Sequence, residues 1–187
     1  MIIWIDGTLG VGKTTVALNI KERNSDNEIE YLDSDFYFRE MLKEMMEYAE
    51  KNHCMPAIRG LSPQTNKDFF VYFRKIIEEK SVTSNILLIS MALIEKQCKE
   101  EIFDYLINKN GHVLHIILTA NKETIKKRIE CDNKERDKKN AIEILDESIS
   151  FLDKNFVDAL RIDTDNRNVC DIADEIIKII KRQKNGT

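Results

Sequence analysis

The segment Met1-Ile-Ile-Trp-Ile-Asp-Gly7-Thr-Leu-Gly-Val-Gly-Lys13-Thr14 carries the clearest indication of the fold. Its second half fits the pattern G-x-x-x-x-G-K-S/T at every position. The pattern requires a strand before it and a helix after it. Here the apolar run Ile2–Ile5 predicts the strand, and a helical pattern begins at Lys13. The stretch therefore predicts a strand, a phosphate-binding loop and a helix in succession.

The residue types of this loop suit the binding of a nucleoside triphosphate. Its glycines allow successive backbone N–H groups to point at a phosphate, and the next helix adds its N-terminal amides. We expect Lys13 to bridge the terminal phosphates of ATP, and the Thr14 hydroxyl to bind Mg²⁺. The predicted nucleotide-binding residues are Gly7, Gly10, Val11, Gly12, Lys13, Thr14 and Thr15.

Short apolar runs alternate with longer helical patterns along the whole chain, which is typical of an α/β domain. Several runs are apolar at consecutive residues, as expected for parallel strands that helices cover on both faces. The order predicts a doubly wound, five-stranded parallel sheet of the P-loop NTPase type, in a single domain over residues 1–187. The predicted strands are Ile2–Ile5, Ile29–Leu32, Ile86–Ser90, Val113–Leu118 and Ala159–Ile162.

Residues typical of helix starts and helix ends lie between these runs. Ser62-Pro63 predicts an N-cap and a first turn ahead of a helix over Asn66–Lys80. Asn121 is expected to cap a helix, Gly111 to end one, and the amphipathic stretch Val169–Arg182 to pack on the sheet.

The bulk properties exclude several classes of protein. The formal net charge is -4 over 187 residues, which argues against a general nucleic-acid binder. The four cysteines form no C-x-x-C pair, so free thiols are expected rather than disulfides or a zinc site. No apolar run approaches the ~18 residues that span a bilayer. We expect a cytoplasmic protein with no integral membrane segment.

Two carboxylates follow the second predicted strand directly. Asp33 and Asp35 are therefore expected at the carboxyl end of the sheet, where doubly wound folds bind their ligands. Asp35 is predicted to orient an attacking hydroxyl or accept its proton, and Asp33 to hold Mg²⁺. The alternative is that one of the two caps the helix that begins near Phe36.

A guanine-specific site would require the motif N-K-x-D after a late strand. Asn121-Lys122-Glu123-Thr124 follows the strand that ends at Leu118, but Thr124 stands where the aspartate would have to be. The sequence therefore predicts a preference for ATP over GTP.

Together these residues resemble the small-molecule and nucleoside kinases of adenylate-kinase-like architecture. Asp33-Ser-Asp35 is similar to the acid pair of shikimate and gluconate kinases, although Ser90-Met-Ala-Leu-Ile lacks the glycines that those enzymes carry after the third strand. The resemblance implies a short charged lid at about residues 131–140. It also implies that Arg128 and Arg136 stabilise the charge on the transferring phosphoryl group.

The chain also resembles the tunicamycin-resistance protein family. The lead Ile-Ile-Trp-Ile, the block Leu88-Ile-Ser-Met-Ala-Leu-Ile, the segment Glu123-Thr-Ile-Lys-Lys-Arg128 and the ending Ile162-Asp-Thr-Asp165 follow the order of that family. The resemblance implies ATP binding and action on a nucleoside-like antibiotic. It leaves open whether such a ligand is phosphorylated or only bound.

The segment between the second and third strands, about residues 36–80, is expected to cover the acceptor. Its methionines and aromatic residues suit an apolar pocket for a bulky ligand, whereas the helical spacing of Met41, Met45 and Tyr48 indicates core packing. The predicted substrate contacts are Asp35, Phe38, Arg39, Arg59 and Arg74.

The sequence thus predicts a Mg-ATP-dependent phosphotransferase that acts on a small hydroxylated acceptor, either nucleoside-like or antibiotic-like. Its predicted catalytic residues are Lys13, Asp35, Arg128 and Arg136. Two alternatives stay open: a protein that uses ATP to sequester a ligand without phosphorylating it, and a regulatory NTPase. The oligomeric state is not indicated.

Overall fold

The structure is a computed structural model that describes residues 1–24, 29–54, 61–133 and 137–185. In this part of the chain, five parallel strands form one sheet in the order β2-β3-β1-β4-β5. The strands are β1 (Ile2–Asp6), β2 (Ile29–Asp33), β3 (Ile86–Ser90), β4 (Val113–Thr119) and β5 (Leu160–Asp163). The predicted five-stranded parallel sheet is confirmed.

Four of the strands end one residue later than their apolar patterns predicted. The additional residue is polar in each case and lies at the carboxyl edge of the sheet. These four residues are Asp6, Asp33, Thr119 and Asp163.

Helices cover both faces of the sheet. On one face lie α1 (Lys13–Arg23) and α9 (Val169–Asn185). The other face carries α2 (Ser34–Lys51), α3 (Lys67–Thr83) and a continuous helical segment of α4 (Lys96–Cys98), a π-helical stretch (Lys99–Asp104) and α5 (Tyr105–Asn110). Between β4 and β5 run α6 (Lys122–Cys131), α7 (Lys138–Glu143) and α8 (Leu145–Asn155).

The core consists of two main apolar layers, one on each side of the sheet. In β1, Ile2 and Trp4 belong to the layer under α3, whereas Ile3 and Ile5 belong to the layer under α1. Burial on both faces explains why the strands are continuously apolar rather than alternating. Trp4 is fully buried, and its Nε1 donates to the carbonyl oxygen of Met91 at 3.1 Å.

Two predicted helix caps need correction. Ser62 does not cap α3; the Asn66 side chain does, because it accepts from the backbone N of Phe69 at 2.8 Å. Asn121 is the N-cap residue of α6, but its side chain makes no capping hydrogen bond. Gly111 ends α5 in the left-handed conformation, with φ of 74°, as predicted.

The C-terminal helix α9 packs against α1, and its Ile172, Ile176 and Ile180 are buried on the sheet. This confirms the predicted packing. Among the described residues, no helix has both the length and the apolar character that crossing a membrane requires.

The strand order determines where a ligand can bind. The chain leaves β1, in the middle of the sheet, for the edge strand β2, and it leaves β4 for the opposite edge strand β5. Connections that diverge in this way open a crevice at the carboxyl ends of the strands. The glycine-rich loop that follows β1 lies at this crevice.

Candidate active site

The glycine-rich loop depends on backbone conformations that other residues adopt only with strain. Gly7, Gly10 and Gly12 have φ values of 136°, 80° and 108°. A Cβ on Gly7 would lie 2.7 Å from the carbonyl oxygen of Leu118 at the end of β4. A Cβ on Gly10 would lie 2.6 Å from Ile129 Cγ1 on α6. The loop is therefore seated closely against β4 and α6.

Lys13 reaches back over this loop from the first turn of α1. Its Nζ donates to the carbonyl oxygens of Gly7 and Thr8, both at 2.9 Å. The ammonium group is thus held beside the loop whose N–H groups are suited to phosphate. Its bridging of the terminal phosphates of a nucleotide stays a prediction.

The two predicted magnesium ligands are adjacent. Thr14 Oγ1 donates to Asp33 Oδ2 at 3.2 Å, and the Tyr31 hydroxyl donates to the same oxygen at 3.1 Å. The Tyr31 hydroxyl also lies 2.7 Å from Ser90 Oγ. Burial raises the pKa of Tyr31 well above its usual range, so the phenol stays a donor to Asp33.

This pair of oxygen ligands fits Mg²⁺, which binds through one or two protein oxygens together with phosphates and water. Among the described residues, no group of three or more His, Cys, Asp or Glu side chains could hold a metal ion by itself. A metal at Thr14 and Asp33 would therefore depend on nucleotide phosphates and water for further ligands.

Asp33 and Asp35 have different surroundings, although both follow β2. Asp33 Oδ1 accepts from the backbone N of Asp35 at 2.9 Å and so caps α2. The Asp35 side chain is exposed and lines the cavity above the glycine-rich loop. The capping alternative therefore applies to Asp33 and not to Asp35.

That cavity has a volume of about 480 Å³, which is within the usual range for small-molecule sites. The cavity is lined by the glycine-rich loop, by Asp35 after β2 and by Arg128 of α6. Its lining includes Gly10, Val11, Gly12, Lys13, Thr14, Thr15, Asp35, Arg128, Thr164 and Arg167.

Arg128 connects the glycine-rich loop to the segment after β5. Its Nη1 donates to the carbonyl oxygen of Val11 at 3.1 Å and to Thr164 Oγ1 at 2.9 Å, and its Nη2 donates to the Thr164 carbonyl at 3.0 Å. These bonds use three of the five N–H donors of a guanidinium. Arg128 is thus fixed in the cavity wall, and its predicted role toward the phosphoryl group stays a prediction.

Two predicted site residues, Arg59 and Arg136, lie outside the described residues. The predicted lid at about 131–140 is therefore described only in part. The last residues of this segment, from Lys138 onward, form the start of α7. Asp137 caps this helix, because its Oδ1 accepts from the backbone N of Asn140 at 3.0 Å.

Two other predicted substrate contacts, Phe38 and Arg74, have structural partners. Phe38 is 8% exposed and packs edge to face on Phe69, because its side of α2 faces the core. Arg74 donates to Glu101 Oε2 at 3.0 Å, and its guanidinium lies 4.6 Å from the centre of the Tyr105 ring. Arg39 lies on an exposed side of α2, in a shallow groove.

A buried acid at the start of the glycine-rich loop was missed in the sequence. Asp6 is fully buried, and its Oδ1 accepts from the backbone N of Gly7 at 2.6 Å and of Leu93 at 2.9 Å. Its Oδ2 lies 2.9 Å from His115 Nε2 on β4. Asp6 thus joins the end of β1 to the segment after β3 and to the interior of β4. An acid that ends an apolar strand directly before a glycine was the available signal.

A second acid joins the loops at the other side of the cavity. Asp165, after β5, accepts from the backbone N of Asn121, after β4, at 2.6 Å. This hydrogen bond lowers the pKa of Asp165, and a further one from the Thr124 side chain adds to the effect. The Thr124 side chain is therefore hydrogen-bonded to Asp165. Thr124 occupies the position where a guanine-binding motif would carry aspartate.

These features define the class of protein. The strand, the glycine-rich loop and the helix lie at the crevice of a parallel sheet, and this is the P-loop kinase fold. The family model described as an AAA domain matches residues 3–151, and the chain belongs to that family of P-loop proteins.

Relatives support the kinase group. The chain is 31% identical over 194 aligned residues to "Putative adenylate kinase" of Methanocaldococcus jannaschii, and the match covers 98% of this chain and 88% of that protein. It is 25% identical over 130 residues to a thymidine kinase of Equine herpesvirus 2, with 59% of this chain matched. The match spans only 21% of the length of the viral protein.

A solved structure with the same fold is that of the tunicamycin resistance protein of Deinococcus radiodurans. The TM-score is 0.72 at 19% identity, with 96% of this chain and 94% of that chain covered. At this identity the likeness shows the fold alone. The predicted membership in the P-loop kinase group is confirmed.

Proposed function

We propose that the protein is a Mg-ATP-dependent phosphotransferase that acts on a hydroxyl group of a small acceptor. The observation that carries the proposal is the placement of the acid pair after β2. Asp33 lies 3.2 Å from Thr14 of the glycine-rich loop, and Asp35 opens into the cavity of the same loop. In this proposal Asp33 would lie beside the nucleotide phosphates, while Asp35 would meet the acceptor.

In the proposed reaction, Lys13 and the backbone N–H groups of the loop bind the β- and γ-phosphates. Mg²⁺ held by Thr14 and Asp33 would offset the charge of the phosphate oxygens. Asp35 takes the proton of the acceptor hydroxyl while that oxygen bonds to the γ-phosphorus. The bond between the γ-phosphorus and its bridging oxygen breaks, and ADP leaves with that electron pair. Arg128 and Arg136 stabilise the charge on the transferring group.

The second candidate is a protein that binds ATP in order to sequester an antibiotic-like ligand without phosphorylating it. The fold similarity to a tunicamycin resistance protein supports this candidate. Both candidates need the same glycine-rich loop, so Lys13 variants would fail in either. They differ at Asp35, which is essential only if a proton has to leave the acceptor.

The test is to incubate the protein with Mg²⁺, ATP labelled at the γ-phosphate and a panel of nucleosides, sugars and nucleoside antibiotics including tunicamycin. The kinase predicts label on an acceptor with the wild type and its loss with Asp35→Asn. ATP-dependent binding of a panel member without labelled product would support sequestration. Release of labelled phosphate at a rate that no acceptor in the panel alters would support a regulatory NTPase.

A further inference from the structure

His115 lies within β4, and its ring is held between two aromatic side chains. The ring centre is 4.6 Å from that of Phe103 on the π-helical stretch and 4.6 Å from that of Phe156 after α8. Both phenylalanines are buried, and only 8% of the His115 side chain is exposed. The imidazole therefore cannot turn without displacing closely packed side chains of two other segments.

One ring nitrogen of His115 is bound to a buried carboxylate. Nε2 lies 2.9 Å from Oδ2 of Asp6, which is fully buried at the end of β1. The carboxylate oxygen accepts, so Nε2 carries the hydrogen of this bond. Losing the bond would be costly, because a carboxylate oxygen without a donor is unfavourable inside a protein.

The other oxygen of Asp6 holds the first residue of the glycine-rich loop. Oδ1 accepts from the backbone N of Gly7 at 2.6 Å and from that of Leu93 at 2.9 Å. The two oxygens belong to one planar carboxylate, so a rotation that released Gly7 would also break the bond to His115. His115 therefore restrains the group that binds the start of the loop.

Gly7 depends on such a restraint because it is a glycine. Its φ is 136°, and an added Cβ would lie 2.7 Å from the carbonyl oxygen of Leu118, so a side chain would be strained here. A residue without a Cβ has wide backbone freedom, and its own sterics do not fix its peptide groups. The Gly7 carbonyl oxygen accepts from Lys13 Nζ at 2.9 Å. A change in the Gly7 backbone would therefore move an oxygen that holds the ammonium group of the loop.

His115 itself does not line the cavity above the glycine-rich loop. It lines a different cavity, of about 510 Å³, together with Lys99, Phe103 and Phe156. An effect of His115 on a ligand at the loop would therefore pass through Asp6 and Gly7.

We propose that His115 is a positioning residue for nucleotide binding. Through Asp6 it fixes the backbone of Gly7, and with it one of the two carbonyl oxygens that hold Lys13 beside the loop. The role requires the N–H group at Nε2 and not the aromatic ring as such. It rests on the nucleotide-binding site of the function proposed above.

The test is calorimetric titration of His115→Phe and His115→Gln with ATP in the presence of Mg²⁺, compared with the wild type. Phenylalanine keeps a ring between Phe103 and Phe156 but has no N–H group for Asp6. Glutamine removes the ring but can donate from its amide to Asp6. We expect the Kd for ATP to rise roughly three- to tenfold in His115→Phe, about the effect of one hydrogen bond, and to stay within about twofold in His115→Gln. A purely structural role of His115 would lower the melting temperature without this difference in Kd.

Two further variants protect the test. His112→Phe makes the same change at an exposed histidine directly before β4 and should leave the Kd as in the wild type. If His115→Phe melts too low to be titrated, His115→Asn replaces it, because the shorter amide does not reach Asp6 and leaves room for water beside the carboxylate. A folded His115→Phe or His115→Asn protein with the Kd of the wild type overturns the proposal. So does a His115→Gln protein that binds ATP as weakly as His115→Phe, or an equal rise of Kd in His112→Phe.

Failure of the nucleotide site would be visible separately. A folded wild type that binds no ATP contradicts the proposed function, and amide hydrogen exchange without ligand then tests whether His115 fixes the loop. The amides of residues 7–14 should exchange faster in His115→Phe than in the wild type and in His115→Gln, whereas those of α9 should be unchanged. Equal exchange of this segment in the three proteins would overturn the role of His115.

Discussion

Asp33 has two roles in the structure that two substitutions can separate. Its Oδ1 caps α2 by accepting from the backbone N of Asp35, and its Oδ2 accepts from Thr14 and Tyr31. Asp33→Ala removes both oxygens. Asp33→Asn keeps one carbonyl oxygen for the cap, but its NH₂ group can neither accept these hydrogen bonds nor bind a metal ion.

The two variants should differ in stability and agree in metal dependence. Loss of an N-cap costs about 0.5–2 kcal/mol, whereas asparagine caps about as well as aspartate. For a chain of this size, each kcal/mol corresponds to roughly 2–4 °C in Tm. Asp33→Ala should therefore melt several degrees lower than Asp33→Asn. Both should need more Mg²⁺ for half-maximal activity, because each lacks the carboxylate beside Thr14.

Thermal melting without ligand and Mg²⁺ titration of the labelled-ATP reaction measure the two effects independently. The metal assignment would be wrong if both folded variants had the Mg²⁺ requirement of the wild type. The cap assignment would be wrong if alanine and asparagine gave equal melting temperatures.

Three further predictions concern the same site. Asp35→Asn should lower kcat by roughly 10²–10⁴-fold. The Tm should change little, since the side chain of Asp35 is exposed. A fully active variant would show that Asp35 does not take part in the reaction. Gly7→Ala should weaken ATP binding and should destabilise the protein more than Gly12→Ala does. Both glycines have positive φ, but only at Gly7 would the added Cβ lie 2.7 Å from another atom, the carbonyl oxygen of Leu118. Equal denaturant midpoints of the two variants would contradict this. The lowered pKa of Asp165 means that its stabilisation is complete above an unfolded-state pKa of about 4 and is lost as the pH falls through the lower folded-state pKa. Asp165→Asn should reduce this acid sensitivity in urea melts, and an unchanged pH profile would count against it.

Local patterns were sufficient to predict the fold and the core of the candidate site. The motif from Gly7 to Thr14, in its strand and helix context, identified the loop, and continuous apolar runs identified strands that are buried on both faces. The acid pair was correctly placed because the carboxyl ends of parallel strands share one edge. The sequence left open which of the two acids caps α2, since only the backbone geometry of that helix shows that Asp33 does so.

Contacts between distant segments were not predictable from the sequence. Arg74 meets Glu101 because α3 packs beside the π-helical stretch, and nothing in either segment indicates the other. Asp6 carried a recognisable local signal, but its partner His115 lies 109 residues further along the chain.

The most direct test of the central claim is calorimetric titration of the protein with ATP in the presence of Mg²⁺. We expect the wild type to bind ATP more tightly than GTP, and Lys13→Ala to bind ATP at least about tenfold more weakly, because a charge-assisted contact to phosphate is lost. The unliganded Lys13→Ala variant should have a circular dichroism spectrum like that of the wild type. A folded wild-type protein that binds no ATP in the presence of Mg²⁺ would show that the glycine-rich loop is not a nucleotide-binding site.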